Sequence, residues 1–491
     1  MSKSVKIIGS VVVVSALWLG GTAYVSSNTE TYLERYVNKT NKLYEANGIK
    51  ISVEKFEKGF FSSNAKMKLD FTDAKMKELF ASTLKLPLMM EYKIENGPLL
   101  FKNGLGIGLS RMSNHINLND YFVEDSELKK SLKNEIVFDS MTTVKFNKNS
   151  NFEASTSEIV LDVDGEELKI APISIVGEMN IETFQGEMEM ESNSMFIAHE
   201  DEFFKAQDIT MSAKINEFFD NGFYLGDFKF KAGDISTKGI DLPFSLAEAQ
   251  VSLEVDISKN SDETVNMDFK VEGDSGASKL PKEYAFLKNA KLNYSLKGMK
   301  LDGLLAFQDF TKKIQAKQAD IVSRLISPST GEMDMKVYAE LEAMQDETKY
   351  GMLALLPGIL KKDSSAFDFA INLEDKEAKK SDLSLTLGFI GDKALPTNGK
   401  ALEELFKTEL LNLVSLDMNV KLEKEYIANL PMELQQALAG QLQIGAMMGI
   451  VKENNASYSF SAEVKPNKLM LNGEDRSAML EMLDQSMAIG F

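Results

Sequence analysis

Ser63-Asn64-Ala65-Lys66 carries the serine-to-lysine spacing used by serine acyl-transferases. That chemistry needs the hydroxyl and the amine on one face of a helix. Here Phe61, Ser63, Ala65, Met67, Leu69 and Phe71 alternate with polar residues, the period of a strand, so positions three apart point to opposite faces. The chain also holds no Lys-Thr-Gly segment. Methionine is the second candidate. Met188-Glu189-Met190, Met333-Asp334-Met335 and Met479-Leu480-Glu481-Met482 have ligand-like spacing, and thioether sulfur suits Cu(I). Most of the 26 methionines nevertheless fall on the apolar phase of their segment, where Met fills irregular gaps.

Other chemistry is sparser. Asp162-Val163-Asp164-Gly165-Glu166-Glu167 is acidic enough for Ca²⁺, but it lacks the twelve-residue loop closed by a bidentate Glu and reads as a hairpin tip. His115 and His199 are isolated. Asn455-Ala456-Ser457 is a glycosylation sequon, of which about one is expected by chance in a chain of this length. Leu84 to Met90 is a greasy run interrupted by Pro87, read as a buried strand or loop, and the pair Phe60-Phe61 reads as sheet packing. Zero Cys removes thiol catalysis, thiolate metal sites and disulfides together. The sequence assigns no catalytic, cofactor-binding or metal residue.

The body that would position these groups is large. The 491 residues are 44% hydrophobic and contain ten Pro, a composition that builds a core. With 74 Asp+Glu against 55 Lys+Arg, the net charge of −19 argues against a nucleic-acid partner, which requires a basic face. Residues 7–25 are uncharged and strongly apolar at their start, with Lys3 and Lys6 before them and Trp18 and Tyr24 toward the far end. This reads as a single-pass anchor in the bacterial inner membrane, N-terminus cytoplasmic and main body periplasmic. A cleaved signal peptide ending near Gly21-Thr22-Ala23 is the competing reading.

Beyond the anchor (residues 1–28), apolar positions from Tyr32 to Tyr44 recur at helical spacing. Residues 29–300 are otherwise dominated by period-two patterning. Strands at 158–163 and 168–175 flank Asp164-Gly165, and Val251, Leu253, Val255 and Ile257 pair with Val265, Met267, Phe269 and Val271. Residues 301–491 mix helices with strands: helices are expected over 301–326, 350–360, 433–452 and 476–487, and strands over 366–373, 383–389, 457–464 and 469–471. The expected fold class is α+β: an N-terminal transmembrane helix followed by long antiparallel β-sheets packed with several amphipathic helices.

Phe56-Glu57-Lys58-Gly59-Phe60-Phe61-Ser62-Ser63 resembles the Gly-Trp-Phe-Ser-Ser signature of the YdgA-like family of bacterial envelope proteins, with Phe60 in the Trp position. Asn96-Gly97-Pro98-Leu99 is similar to that family's His-Gly-Pro turn, Asn96 replacing the His. Tyr224-Leu225-Gly226-Asp227 and Leu469-Met470-Leu471-Asn472-Gly473 also resemble family stretches. The resemblance implies an inner-membrane-anchored periplasmic protein of unassigned activity and supplies no catalytic residue. Three functions compete. A non-catalytic scaffold or interaction protein, self-associating or holding an envelope partner, comes first. A carrier of lipid or another apolar ligand comes second, and would need a second greasy surface that cleanly alternating strands do not offer. A carboxylate-dependent hydrolase comes last.

Overall fold

A computed structural model describes residues 48–480 except 73, 103, 164, 240–244, 262, 282–283, 326–334, 392–393 and 431, together with residue 26 and positions 29–31, 33–35, 37, 38, 40 and 41. The chain forms two compact units that meet in sequence at Tyr224 and Leu225.

The first unit is an antiparallel meander. A helix, α1, whose described residues lie between 29 and 41, precedes β1 (Ile49–Glu57), β2 (Ser62–Phe71), α2 (Ala74–Ala81), β3 (Leu88–Asn96), and the two short strands β4 (Leu99–Leu100) and β5 (Gly106–Ile107). Next come β6 (Ser110–Asn117), α3 (Glu127–Ser131), β7 (Val137–Val144), β8 (Asn149–Thr156), β9 (Ile159–Val163), β10 (Glu166–Ile170), β11 (Ile173–Asn180), β12 (Gly186–His199) and β13 (Glu202–Phe218). The pairing runs β1–β2–β3–β6–β7–β8–β11–β12–β13. The β9–β10 hairpin lies along the far half of β12.

Local chemistry explains the ends of this ladder. Leu33 and Val37 of α1 bury Ala65, Met67 and Ile94 beneath them, which is why β2 alternates between buried and accessible positions. The amide of Asn41 pairs with both backbone groups of Ile51, its Nδ2 donating to the carbonyl at 2.7 Å and its Oδ1 accepting from the N–H at 2.8 Å. One side chain thus occupies a position on an open strand edge that would otherwise recruit another strand.

The second unit repeats the plan with β14 (Tyr224–Lys238), β15 (Ala249–Lys259), β16 (Thr264–Asp274), β17 (Leu287–Lys300), β18 (Ala366–Asp375), β19 (Lys380–Phe389), β20 (Val414–Glu423), β21 (Lys452–Glu453), β22 (Ser457–Lys465), β23 (Lys468–Leu471) and β24 (Glu474–Asp475). The sheet runs β14–β15–β16–β17–β18–β19–β20–β22–β23–β24, with β21 on the margin of β22. Helices α4 (Leu301–Leu325), α5 (Met335–Ile359), α6 (Gly399–Leu413), α7 (Lys424–Asn429) and α8 (Met432–Met447) interrupt it. The change in patterning at residue 301 marks the start of α4, and α6 begins where Asn398 Oδ1 accepts the N–H groups of Lys400 and Ala401.

The expected fold class is corrected in two respects. Antiparallel sheet dominates, with 51% strand against 26% helix, so helices are insertions into a meander. Among the described residues no helix is long and apolar enough to cross a membrane, which overturns the N-terminal transmembrane helix as part of the observed fold. Residues 7–25, on which that expectation rested, lie outside the described residues, as does the 476–487 helix beyond Leu480.

Candidate functional site

Ser63 and Lys66 fall on β2, as their alternation requires. The Ser63 hydroxyl is buried and accepts hydrogen bonds from Gly59 N (3.2 Å) and Asn96 Nδ2 (3.2 Å), while Lys66 faces the other way toward Glu91 at 3.8 Å. Met188 and Met190 lie on β12 between exposed glutamates, their register partners being Gly177 and Ile175 of β11 and Ala213 and Met211 of β13. Asp162 accepts from Lys133 at 3.0 Å, a contact that holds its carboxyl below the usual range; Asp164 lies outside the described residues. Among the described residues no three His, Asp or Glu side chains converge as a metal site.

His115 and Asp139 meet at 2.7 Å (Nδ1 to Oδ1) in an open cleft of ≈ 1120 Å³ on the polar face of the first unit. The cleft lies where β3 and β6, which pair only from Lys93 to Asn96, have parted, so Glu91 and His115, two positions beyond the last pair, are left unjoined. Its walls are paired charges: Lys55 with Glu57 at 2.5 Å, and Lys66 with Glu91. The carboxyl of Glu57 is held below its ordinary range, first by its hydrogen bond to Lys55. Ser140, next to Asp139, points to the opposite face and donates to Asn114 Oδ1 at 2.5 Å. This is a solvated surface that presents an exposed His–Asp pair in register with Ser155 and Ser174 on the neighbouring strands.

The signature segment builds a different arrangement. The buried Asn96 amide donates to the carbonyl oxygens of Gly59 (2.9 Å) and Phe60 (3.3 Å) and accepts from Thr29 Oγ1 (3.2 Å), while Ser26 Oγ donates to Gly59 O at 2.8 Å. A Cβ on Gly59 would sit 2.0 Å from Ser62 O, so the turn admits only glycine. The aromatic pair belongs to this turn, yet Phe60 and Phe61 are exposed, contrary to the expectation of sheet packing.

The most extended feature is one that motif reading does not find. In the second unit, register places Phe228, Val255, Phe269, Tyr294, Phe369, Leu385, Met418, Ala462 and Leu471 in one row across nine strands. At about 4.8 Å per strand this row is roughly 40 Å long. On one side runs Phe230, Leu253, Val271, Leu292, Ile371, Leu383, Val420 and Phe460; on the other, Ile257, Met267, Leu296, Phe367, Leu387, Leu416, Val464 and Leu469. The rings of Phe269, Tyr294 and Phe367 touch in sequence, each pair at 5.3 Å between centroids.

This face is apolar without being sealed. Under α1 in the first unit the corresponding residues are buried, but every position of β18 before Asp375 is only partly buried, and Val271 and Leu292 are 38% and 39% exposed. Burial is complete at Ile257 near one end and toward the β22–β23 end, where Ala462, Leu469 and Leu471 pack with Ile450, Met479 and Leu480. The other face of the same strands is polar and satisfied across strands: Thr386 to Asp368 at 2.7 Å, Lys297 to Asp368 at 2.6 Å, Asn372 to Asp382 at 2.9 Å, and Lys291 to Glu272 at 3.0 Å. Such a sheet has water on one side and a long greasy surface on the other. The sequence signal for it is the alternation itself.

No curated protein and no solved structure matches this chain. A family model does match, over residues 1–478, and the chain therefore belongs to DUF945, a family of bacterial proteins of unknown function.

Proposed function

We propose that this protein is a non-catalytic, membrane-associated envelope protein that carries lipid or another apolar ligand on the open apolar face of its second unit. The proposal includes the YdgA-like affinity, a periplasmic body, and engagement of the inner membrane through residues 7–25. The observation that carries the reading is the three-row apolar surface, roughly 40 Å long, whose central side chains stop short of burial. Leaving that much apolar area in water is costly, at about 25 cal/mol per Å², and a bound acyl chain would recover it. Clean alternation, which weighed against a carrier in the sequence, is compatible with one once the apolar side of the sheet is left open.

The test is extraction from native membranes in mild detergent, followed by native mass spectrometry and lipid analysis. Near-stoichiometric lipid is expected, reduced in Phe369→Asp and Leu385→Asp. Folded, delipidated protein that takes up no labelled lipid overturns the reading.

A scaffold or interaction role, as a homo-oligomer or with an envelope partner, stands second. It is supported by α8, where Met432, Leu434, Ile444 and Met447 are all exposed. Crosslinking from α8 positions in cells tests it; the absence of any crosslinked species removes it.

A further inference from the structure

We infer that one end of the first unit rests on the surface of an anionic bilayer through three adjacent strand connections. The inference rests on the proposal that residues 7–25 engage the membrane, and adds a second, structurally separate contact. The β1–β2 turn, the β3–β6 connection and the β7–β8 turn leave the same end of neighbouring strands. Asn96 N donates to Phe61 O at 2.9 Å, Gly97 N to Leu109 O at 2.8 Å, and Leu109 N to Val144 O at 2.7 Å. Their tips carry Phe60, Phe61, Phe101, Leu105, Ile107 and Phe146, all exposed, with Leu105 at 79% and Ile107 at 69%.

The middle connection is built to hold its apolar residues outward. Leu100 is fully buried beneath it. The buried, register-paired side chains Glu95 and Arg111 grip its backbone: the carboxylate accepts from the N–H groups of Phe101 and Lys102, and the guanidinium donates to the carbonyls of Lys102 and Gly104. A loop fixed this way cannot fold its Leu and Ile inward. Two further observations identify the occupant. Ser26 is hydrogen-bonded to Gly59 O in the first of these turns, so the chain leading back to the apolar segment leaves from this end of the unit. Exposed Lys58 and Lys102 stand among the apolar tips of an otherwise acidic chain; Lys145 and Lys148 on the third turn are paired with Glu178 (3.3 Å) and Glu182 (3.8 Å). Large apolar side chains interleaved with lysine match the headgroup boundary of an anionic bilayer.

The chain has no Cys and a single Trp, Trp18, which makes the experiment clean. Full-length Leu105→Cys and Phe146→Cys proteins carry an environment-sensitive dye in vesicles of phosphatidylcholine and phosphatidylglycerol containing spin-labelled quencher lipid. Val163→Cys, at the hairpin at the other end of the sheet, is the reference. Quenching at 105 and 146 but not at 163 is expected, with the docked fraction's ratio to free falling about fivefold for each of Lys58→Gln and Lys102→Gln. Dye at 105 as water-exposed as at 163 overturns the inference. So does dye that is shielded yet unquenched, which would mean that the N-terminal segment or a second copy covers the patch. Trp18 quenching in the same samples reads the underlying membrane proposal separately: Trp18 quenched with residue 105 in water sinks only the docking surface, and both in water sink both.

Discussion

The side-chain amide of Asn96 donates to the hydroxyl of Ser63 at 3.2 Å, in a pocket where both residues are almost completely buried. The same amide reaches the carbonyl oxygens of Gly59 and Phe60 and accepts from Thr29, so one residue joins α1, the glycine turn and the end of β3. Asn96→Ala strands these groups without water. A loss of about 2–4 kcal/mol is expected in urea unfolding, against about 1 kcal/mol for Ser63→Ala, which leaves the carbonyl contacts intact. Equal and small losses would show that the knot does not hold the turn.

How much of this was legible in the sequence depends on the range of the physics involved. Period-two alternation finds β1, β2, β9, β15, β16, β18 and β19, because side-chain direction on a strand is a local property; the strand expected over 168–175 instead covers the end of β10 and the start of β11. Helix α4 was read to within a residue. Helix α5 was expected only from 350, since its first half, through Glu340, Glu342, Gln345 and Asp346, is too polar to show a clear stripe. Helix α6 and strands β17 and β20 are not among the elements expected from the sequence, although Val414, Leu416, Met418, Val420 and Leu422 of β20 and Ala290, Leu292, Tyr294 and Leu296 of β17 alternate cleanly with polar residues. The Asn96 knot joins residues up to 67 apart and has no local signature. The apolar face escaped for a related reason. Phe269 and Phe369 each announce an inward phase, but only the partial burial of that face turns the phase into a surface.

That surface gives a second prediction, which separates binding from folding. Phe369 is only partly buried, so Phe369→Asp keeps its carboxylate near water and should cost no more than about 2 kcal/mol of stability. Labelled-lipid uptake should nevertheless fall toward background. Leu402→Asp, at a fully buried position of α6, is the contrast, expected to unfold the second unit. Uptake by Phe369→Asp equal to that of the parent chain would move the binding surface elsewhere.

Methionine chemistry supplies a third. Met432 and Met447 project from α8 into water, whereas Met67, Met299 and Met344 are buried. Dilute peroxide should convert the first pair to sulfoxide well before the others, as peptide mass spectrometry can follow. If α8 is covered by a partner or a second copy in membranes, that order disappears in native vesicles and returns after detergent extraction. An unchanged order in both states would weaken the interaction reading of α8.

The last prediction concerns alkaline pH. Tyr426, on the buried side of α7, packs against the ring of Phe286 (4.5 Å between centroids), and its hydroxyl donates to Lys379 O at 2.9 Å. Burial, then the nearby charges of Asp375 and Glu423, push its phenol up to about 12. An unfolded tyrosine ionises near about 10. The folded state therefore favours the neutral phenol, a contribution fully present below pH ~10 and lost as pH rises toward ~12, as the unfolded chain deprotonates first. Two units of separation amount to about 2–3 kcal/mol. The urea midpoint of the parent chain should fall faster between about pH 10 and about pH 12 than that of Tyr426→Phe, which is less stable at neutral pH by about 1 kcal/mol for its missing hydrogen bond. Parallel pH profiles for the two proteins would mean that the Tyr426 hydroxyl ionises as freely in the folded chain as in the unfolded one.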